Sequence, residues 1–161
     1  VSRSIQYDLT YDAPAERVTA MLADPKFREE VCDFIGVTRK TVTVEPVGDG
    51  MHVTIDQWQP TAGVPGFAKK FVGDETNIVQ REIWTTPLLG DITVTIPGKP
   101  GDMTGSARIA EANGVTTESV VMTVKVGIPL VGGKVEDLIG GLLLKALKAE
   151  NKVGRDYLSR T

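Results

Sequence analysis

Two of the residue types most used in metal and nucleophile chemistry are almost missing from this 161-residue chain, which has one cysteine, Cys32, and one histidine, His52. A lone cysteine excludes an intramolecular disulfide and any multi-cysteine metal site. With a single histidine and scattered carboxylates, none of the close ligand spacings of metal centres occurs, so no metal is expected. Phosphate loops of the GxGxxG or GxxxxGK[ST] type are also absent, and "GKPGD" lacks the helix start such a loop needs; no cofactor is expected. No run approaches the ~18 consecutive apolar residues of a membrane span. The opening "VSRSIQYDLTYDAP" has no apolar secretion core. Acidic residues outnumber basic ones, 21 to 18. That balance speaks against nucleic acid as a partner, since phosphate binding needs a concentrated basic surface. A water-soluble cytoplasmic protein in a reducing compartment is the expectation.

What is present reads as one globular domain over 1–161, long enough to bury a sizeable core. "SIQYDLTY" alternates Ile5, Tyr7, Leu9 and Tyr11 with polar residues, the period of a half-buried strand. Pro14 marks a helix entry, followed by Val18, Met21 and Leu22 at helical spacing. In "DPKFREEVCDFIG", Asp24 suits an N-cap, Pro25 the first helical position and Gly36 a stop. Phe27, Val31, Phe34 and Ile35 are expected to form its buried face. From Val37 to Ile128 six strands follow, divided by turn signals at Gly48-Asp49-Gly50, Pro87–Gly90, "PGKPGD" and Asn113-Gly114. "GFAKKFVG" fits either a short helix or a loop. The last segment, from about Gly133 to Leu158, is a long helix. Its apolar stripe is Val135, Ile139, Leu142, Ala146, Ala149, Val153 and Tyr157, widened by Leu143, Leu147 and Leu158 and interrupted by Glu136 and Glu150.

Strand, two helices, six strands and a long helix give an α+β chain, with a curved seven-stranded antiparallel sheet around the C-terminal helix. This order resembles the helix-grip fold of the START-like superfamily, with its plant allergen and polyketide cyclase relatives. "TVTIPGKPGDMTGSARI" and "VKVGIPLVGGKVEDLI" further resemble an uncharacterised actinobacterial family within that superfamily. The resemblance implies a cavity between sheet and helix that takes lipids, sterols, polyketides or other apolar ligands. It implies no particular activity.

On that reading the cavity is lined by Val53, Ile55, Trp84, Ile92, Val94, Met103, Met122 and Val124 from the sheet. Ile139, Leu142 and Leu143 face them from the helix, with Gln57, Gln80 and Glu82 as polar anchors. Alternation in "NIVQREIWTT" groups Ile78, Gln80, Glu82 and Trp84 on one face and Val79, Arg81 and Ile83 on the other. Which face points inward stays open: one choice buries a carboxylate, the other Arg81. Gly140, at the edge of the apolar arc, and Gly141, toward the basic stripe, either let the helix bend or leave room for a ligand, or else Gly140 packs closely against an aromatic and Gly141 is a tolerated surface residue. His52 and Asp56 lie four apart on a strand, roughly 13 Å, too far for a dyad. His52 reads as a surface residue and Cys32 as a small buried hydrophobe. The Lys145, Lys148, Lys152 and Arg155 stripe is either a solvated face or a transient contact with an anionic membrane. Three functions compete: binding of a hydrophobic small molecule or lipid, a cyclase- or dehydratase-like reaction through Glu82 or Arg81, and a cavity-free protein-interaction module.

Overall fold

The computed structural model describes residues 2–160, apart from the side chain of Phe71. In chain order the elements are β1 (Arg3–Tyr11), α1 (Ala15–Leu22), α2 (Pro25–Ile35), β2 (Arg39–Val47) and β3 (Gly50–Pro60). Then come α3 (Gly66–Val72), β4 (Glu75–Thr86), β5 (Leu89–Thr95), β6 (Asp102–Ala112), β7 (Val115–Lys125) and α4 (Gly132–Arg160). The strands form one antiparallel sheet in the order β1-β7-β6-β5-β4-β3-β2, with the long helix α4 packed mainly on β1 and α2. This is the helix-grip arrangement, and the ambiguous "GFAKKFVG" is the short helix α3.

Local chemistry sets the element ends. The Asp24 carboxylate accepts a hydrogen bond from the Lys26 N–H at 3.0 Å, and Pro25 opens α2. Gly36, at φ 93°, closes it in the left-handed region that glycine enters without steric cost. Asn113 and Gly114 both have positive φ, 55° and 80°, as the type I′ turn of a tight hairpin requires between β6 and β7.

Alternation then fixes the concave face. Register across the sheet aligns Ile5, Met122, Gly105, Ile92, Glu82 and Val53 in one row, and Val124, Met103, Val94, Gln80 and Ile55 in the next. The open choice on β4 is thereby resolved: Ile78, Gln80, Glu82 and Trp84 point inward, whereas Arg81 and Ile83 are exposed.

Two helix faces differ from expectation. In α2 the buried residues are Phe27, Arg28, Val31 and Cys32, while Phe34 is 55% exposed. In α4 the buried residues are Gly132, Val135, Glu136, Gly140, Asn151, Val153, Gly154 and Leu158, so Val135 and Val153 of the expected stripe and Leu158 of its widened arc are inside. The rest of the buried set displaces the centre of the inward face toward Gly140 and Gly154. Leu142, expected in the cavity, is 50% exposed instead. Glycine explains the displacement. A Cβ on Gly154 would stand 2.6 Å from Tyr11 Cε1, and one on Gly140 would stand 2.9 Å from Arg3 Nε and 3.4 Å from Ile5 Cγ2. The helix therefore lies down on β1 along its glycine side, and the bulkier Leu142 turns outward. Gly140 serves packing, against an arginine stem and an isoleucine; the glycine packed on an aromatic is Gly154. A Cβ on Gly141 meets nothing within 4 Å.

Candidate functional site

Glu82 enters the interior because β4 alternation leaves it no other side, and the surrounding sequence meets its charge. Each carboxylate oxygen accepts two hydrogen bonds. Oε1 receives Arg28 Nη2 at 2.9 Å and Trp84 Nε1 at 2.8 Å; Oε2 receives Arg28 Nη1 at 2.9 Å and Gln80 Nε2 at 2.6 Å. Arg28 Nε also donates to the Leu22 carbonyl at 2.9 Å. Arg28 and Glu82 are 2% and 3% exposed, so this bidentate pair works far from water's screening. Burial alone would raise the Glu82 pKa, but the Arg28 charge and the four hydrogen bonds outweigh it and hold the carboxyl below its ordinary value.

Two further carboxyls surround the same arginine. Glu150 on α4 brings Oε1 to 4.0 Å from Arg28 Nη1 and keeps 14% side-chain exposure. Its pKa is pushed up to about 7 by burial, with Arg28 opposing and the Glu82 charge adding to the rise. Glu118 on β7 shares the inward face with Val120, Met122 and Val124 and is 3% exposed. Burial, then the Glu150 and Glu82 charges, raise its pKa well above the ordinary value against the pull of Arg28. Among the described residues, Glu118 Oε1 is buried without a hydrogen-bond partner. Burial, then Glu150 and Glu118, raise the Tyr11 pKa as well. The cluster is therefore an ion pair, Arg28–Glu82, beside two carboxyls whose pKa values burial and the neighbouring carboxylates raise.

A cavity of about 430 Å³ adjoins this cluster. It opens between α1 and the β2–β3 hairpin. Trp84 and Leu22 are its buried floor, Val44 and Met51 its half-buried walls. Ala20, Ala23, Pro25, Pro46 and Pro87 complete the apolar lining, and Glu16, Thr19 and Asp49 supply polar groups. The Trp84 indole is placed by Gly90, its register partner on β5. A Cβ there would stand 2.6 to 3.0 Å from three ring atoms at the indole fusion, so the ring lies flat on the glycine. A second opening of about 520 Å³ lies on the seam between Thr10–Asp12 of the β1 end and Arg155–Ser159 of α4. Arg155 is already engaged there, donating to the Thr10 carbonyl at 3.2 Å and hydroxyl at 2.9 Å.

The structure gathers most of the expected lining residues on one face but not around one void. Val53, Ile55, Gln57, Glu82, Trp84, Ile92, Val94, Met103, Met122 and Val124 are buried there; Gln80, Ile139 and Leu143 are half-buried. Of the whole set, only Trp84 borders the 430 Å³ cavity, and no α4 residue does. The 430 Å³ cavity lies instead toward the end of the sheet where β2 and its hairpin project. Arg81 is exposed on the convex side and is removed as a candidate for chemistry. Glu82 is buried, yet its lone pairs are committed; the carboxyls with raised pKa are Glu118 and Glu150. His52 is exposed. Cys32 is buried, and burial pushes its thiol up to about 11, unsuited to a nucleophile. Among the described residues no three His, Cys, Asp or Glu side chains are arranged to hold a metal ion. Nor, among them, is any helix long and apolar enough to cross a membrane.

Arg28, Glu118 and Tyr11 were missed as a cluster, although the signals existed. Glu118 continues the Val120–Val124 alternation two residues back, Tyr11 ends the Ile5–Leu9 alternation, and Arg28 lies one turn from Cys32.

A family model described as "Protein of unknown function (DUF2505)" matches residues 6–158. Comparison with curated proteins found no match. Among solved structures, the Zhui aromatase/cyclase from Streptomyces sp. R1128 superposes with a TM-score of 0.69 at 13% identity, covering 99% of this chain and 95% of that one. A Thermus thermophilus protein, TTHA0849, gives 0.64 at 16%, covering 96% and 95%. Norcoclaurine synthase from Thalictrum flavum, in complex with dopamine and hydroxybenzaldehyde, gives 0.62 at 15%, covering 100% and 89%. At these identities the likeness shows the fold.

Proposed function

The chain belongs to the DUF2505 family of proteins of unknown function, and we propose that it binds a small apolar molecule on the concave face of its sheet. The observation that carries this reading is the 430 Å³ cavity with an indole floor and aliphatic walls. Its volume falls within the range of small-molecule sites, and burying ligand hydrocarbon there is worth about 25 cal/mol per Å². Fold neighbours that handle small molecules, an aromatase/cyclase and a synthase in complex with dopamine and hydroxybenzaldehyde, add support. The Arg28–Glu82 pair acts here as scaffold: Glu82 accepts the Trp84 indole N–H at 2.8 Å and fixes the ring beside the cavity.

Trp84 makes the reading testable. In a Trp58→Phe protein it is the sole tryptophan, since the chain has two. The neutral fluorophore N-phenyl-1-naphthylamine is expected to take energy from Trp84 and to saturate at one per chain. Ala20→Phe, an exposed α1 position on the cavity lining, should fill the space and abolish the transfer. Absence of saturable transfer in the parent, or its persistence in Ala20→Phe, defeats the proposal.

A further inference from the structure

Surface connections draw mostly on Gly, Pro, Asn, Asp and Ser. Those at one end of this sheet do not. There β3 joins β4, β5 joins β6 and β7 joins α4, through residues 61–74, 96–101 and 126–134, the last including the first residues of α4. Apart from Thr61 and Asp74, every residue in these stretches is Gly, Pro, Ala, Val, Ile, Leu, Phe or Lys. Their charges are Lys69, Lys70, Lys99 and Lys134 against Asp74, and none of the four lysines forms an ion pair among the described residues. The connections at the opposite end, 12–14, 48–49, 87–88 and 113–114, hold Asp12 and Asp49 and no basic residue. A chain that is acidic as a whole thus presents one end that is basic and apolar.

The backbone at this end adds an independent observation. Leu130 has φ 71° and a fully exposed side chain. The Val131 N–H donates to the Pro129 carbonyl at 2.9 Å, so Leu130 is the centre of a γ-turn of the rare, strained, positive-φ kind. A bulky residue in that region is an outlier that costs free energy. Its loop is anchored on both sides. The Gly132 N–H donates to the Ile128 carbonyl at 2.9 Å, and the buried Glu136 accepts the Val126 N–H through Oε2 at 2.8 Å. A strained turn and a buried carboxylate thus hold a leucine in water, where neither burial nor backbone preference favours it. Phe67 on α3, at the same end, is exposed as well.

We propose that this end of the molecule docks on an anionic lipid bilayer, with Leu130 and Phe67 entering the headgroup boundary and Lys69, Lys70, Lys99 and Lys134 meeting the lipid phosphates. Leucine and phenylalanine beside lysine suit such an interface, hydrocarbon at the acyl boundary and ammonium among the headgroups. The basic residues here are all lysine, whereas protein–protein interfaces enrich arginine and deplete lysine. Lysine is a compact point charge, suited to a diffuse anionic surface that offers no fixed bidentate partner. The surface lies at the other end of the sheet from the 430 Å³ cavity, so its test is independent of the binding function proposed above.

Co-sedimentation with vesicles tests this, comparing pure phosphatidylcholine with a phosphatidylcholine–phosphatidylglycerol mixture. The parent protein should partition onto the mixed vesicles, hardly onto the neutral ones, and be released at about 0.5 M salt. One lysine near an anionic surface is worth roughly fivefold, so Lys69→Gln with Lys70→Gln should lower the partition coefficient about twentyfold. Leu130→Asn should lower it at least about tenfold, through the loss of one inserted leucine. Because asparagine accepts positive φ more readily than leucine, the same change should leave the urea midpoint level or raise it. If Leu130→Asn fails to fold, the lysine pair decides alone. Lys145→Gln with Lys148→Gln, on the exposed stripe of α4, should leave partitioning within about twofold of the parent. The proposal is overturned if the parent ignores the mixed vesicles, or if binding survives both Leu130→Asn and the Lys69–Lys70 change. Self-association in lipid-free buffer that Leu130→Asn abolishes would assign the surface to a second copy of the chain and overturn it too.

Discussion

At the scale of single residues, the glycines of α4 divide by what a methyl group would strike. Gly154 lies on Tyr11: an added Cβ would stand 2.6 Å from Cε1 and 3.0 Å from the hydroxyl, and Tyr11 is 1% exposed and hemmed in. Gly154→Ala should therefore destabilise the protein by about 1–3 kcal/mol, the usual cost of overpacking. Gly141 faces open space. There alanine gains only helix propensity, and Gly141→Ala should stabilise by up to about 1 kcal/mol. Urea midpoints of the two variants should move in opposite directions; a shift of the same sign in both would contradict the packing of α4 on β1. The sequence separates the pair, since Gly140 lies at the edge of the apolar arc and Gly141 toward the basic stripe, and the structure agrees: Gly140 packs and Gly141 does not. What Gly140 packs against is an arginine and an isoleucine on β1, long-range partners that no local pattern names. Gly154, packed on Tyr11, sits among mostly polar neighbours in "NKVGRDY", where no apolar run draws the eye.

At the scale of elements, α2 and β4 are joined by the Arg28–Glu82 pair, two residues 54 positions apart. Strand alternation made one face of β4 legible as Gln80, Glu82 and Trp84. What makes that face the inner one is a partner on another element, and no local pattern carries that information. Arg28→Met should cost about 3–5 kcal/mol, because it strands a buried carboxylate with only Trp84 and Gln80 as donors. Adding Glu82→Gln removes the stranded charge and keeps an amide oxygen for the Trp84 N–H. The double variant should recover at least about 1 kcal/mol, a coupling that a double-mutant cycle of denaturant melts measures. Additive losses would mean that the pair does not hold the two elements together. Other features of these elements were readable because their causes are local: Asp24, Pro25 and Gly36 bound α2, and Asn113-Gly114 turns β6 into β7.

At the scale of the whole molecule, one arginine surrounded by three carboxyls gives stability a dependence on pH that an isolated ion pair lacks. Glu82, with its pKa held below the ordinary value, contributes stability that is present above about pH 4.5 and lost as pH falls through its folded value. Glu150 has the opposite sign. Its pKa rises from 4.5 to about 7 on folding, so its contribution is complete below pH 4.5 and disappears as pH climbs to about 7. That interval corresponds to on the order of 3 kcal/mol, and Glu118, raised further by burial and by its two acidic neighbours, extends the decline toward higher pH. Stability should therefore peak near pH 5 and fall toward pH 7. Urea unfolding at intervals from pH 4 to pH 8 is expected to show the midpoint dropping between pH 5 and pH 7 in the parent protein. Glu150→Gln, neutral throughout, should flatten that segment and leave the acid limb, which belongs to Glu82, in place. If the midpoint of the parent is level from pH 5 to pH 7, or if Glu150→Gln keeps the slope, then α4 does not press its carboxylate against the Arg28 cluster. The seating of that helix beside α2 is wrong in that case.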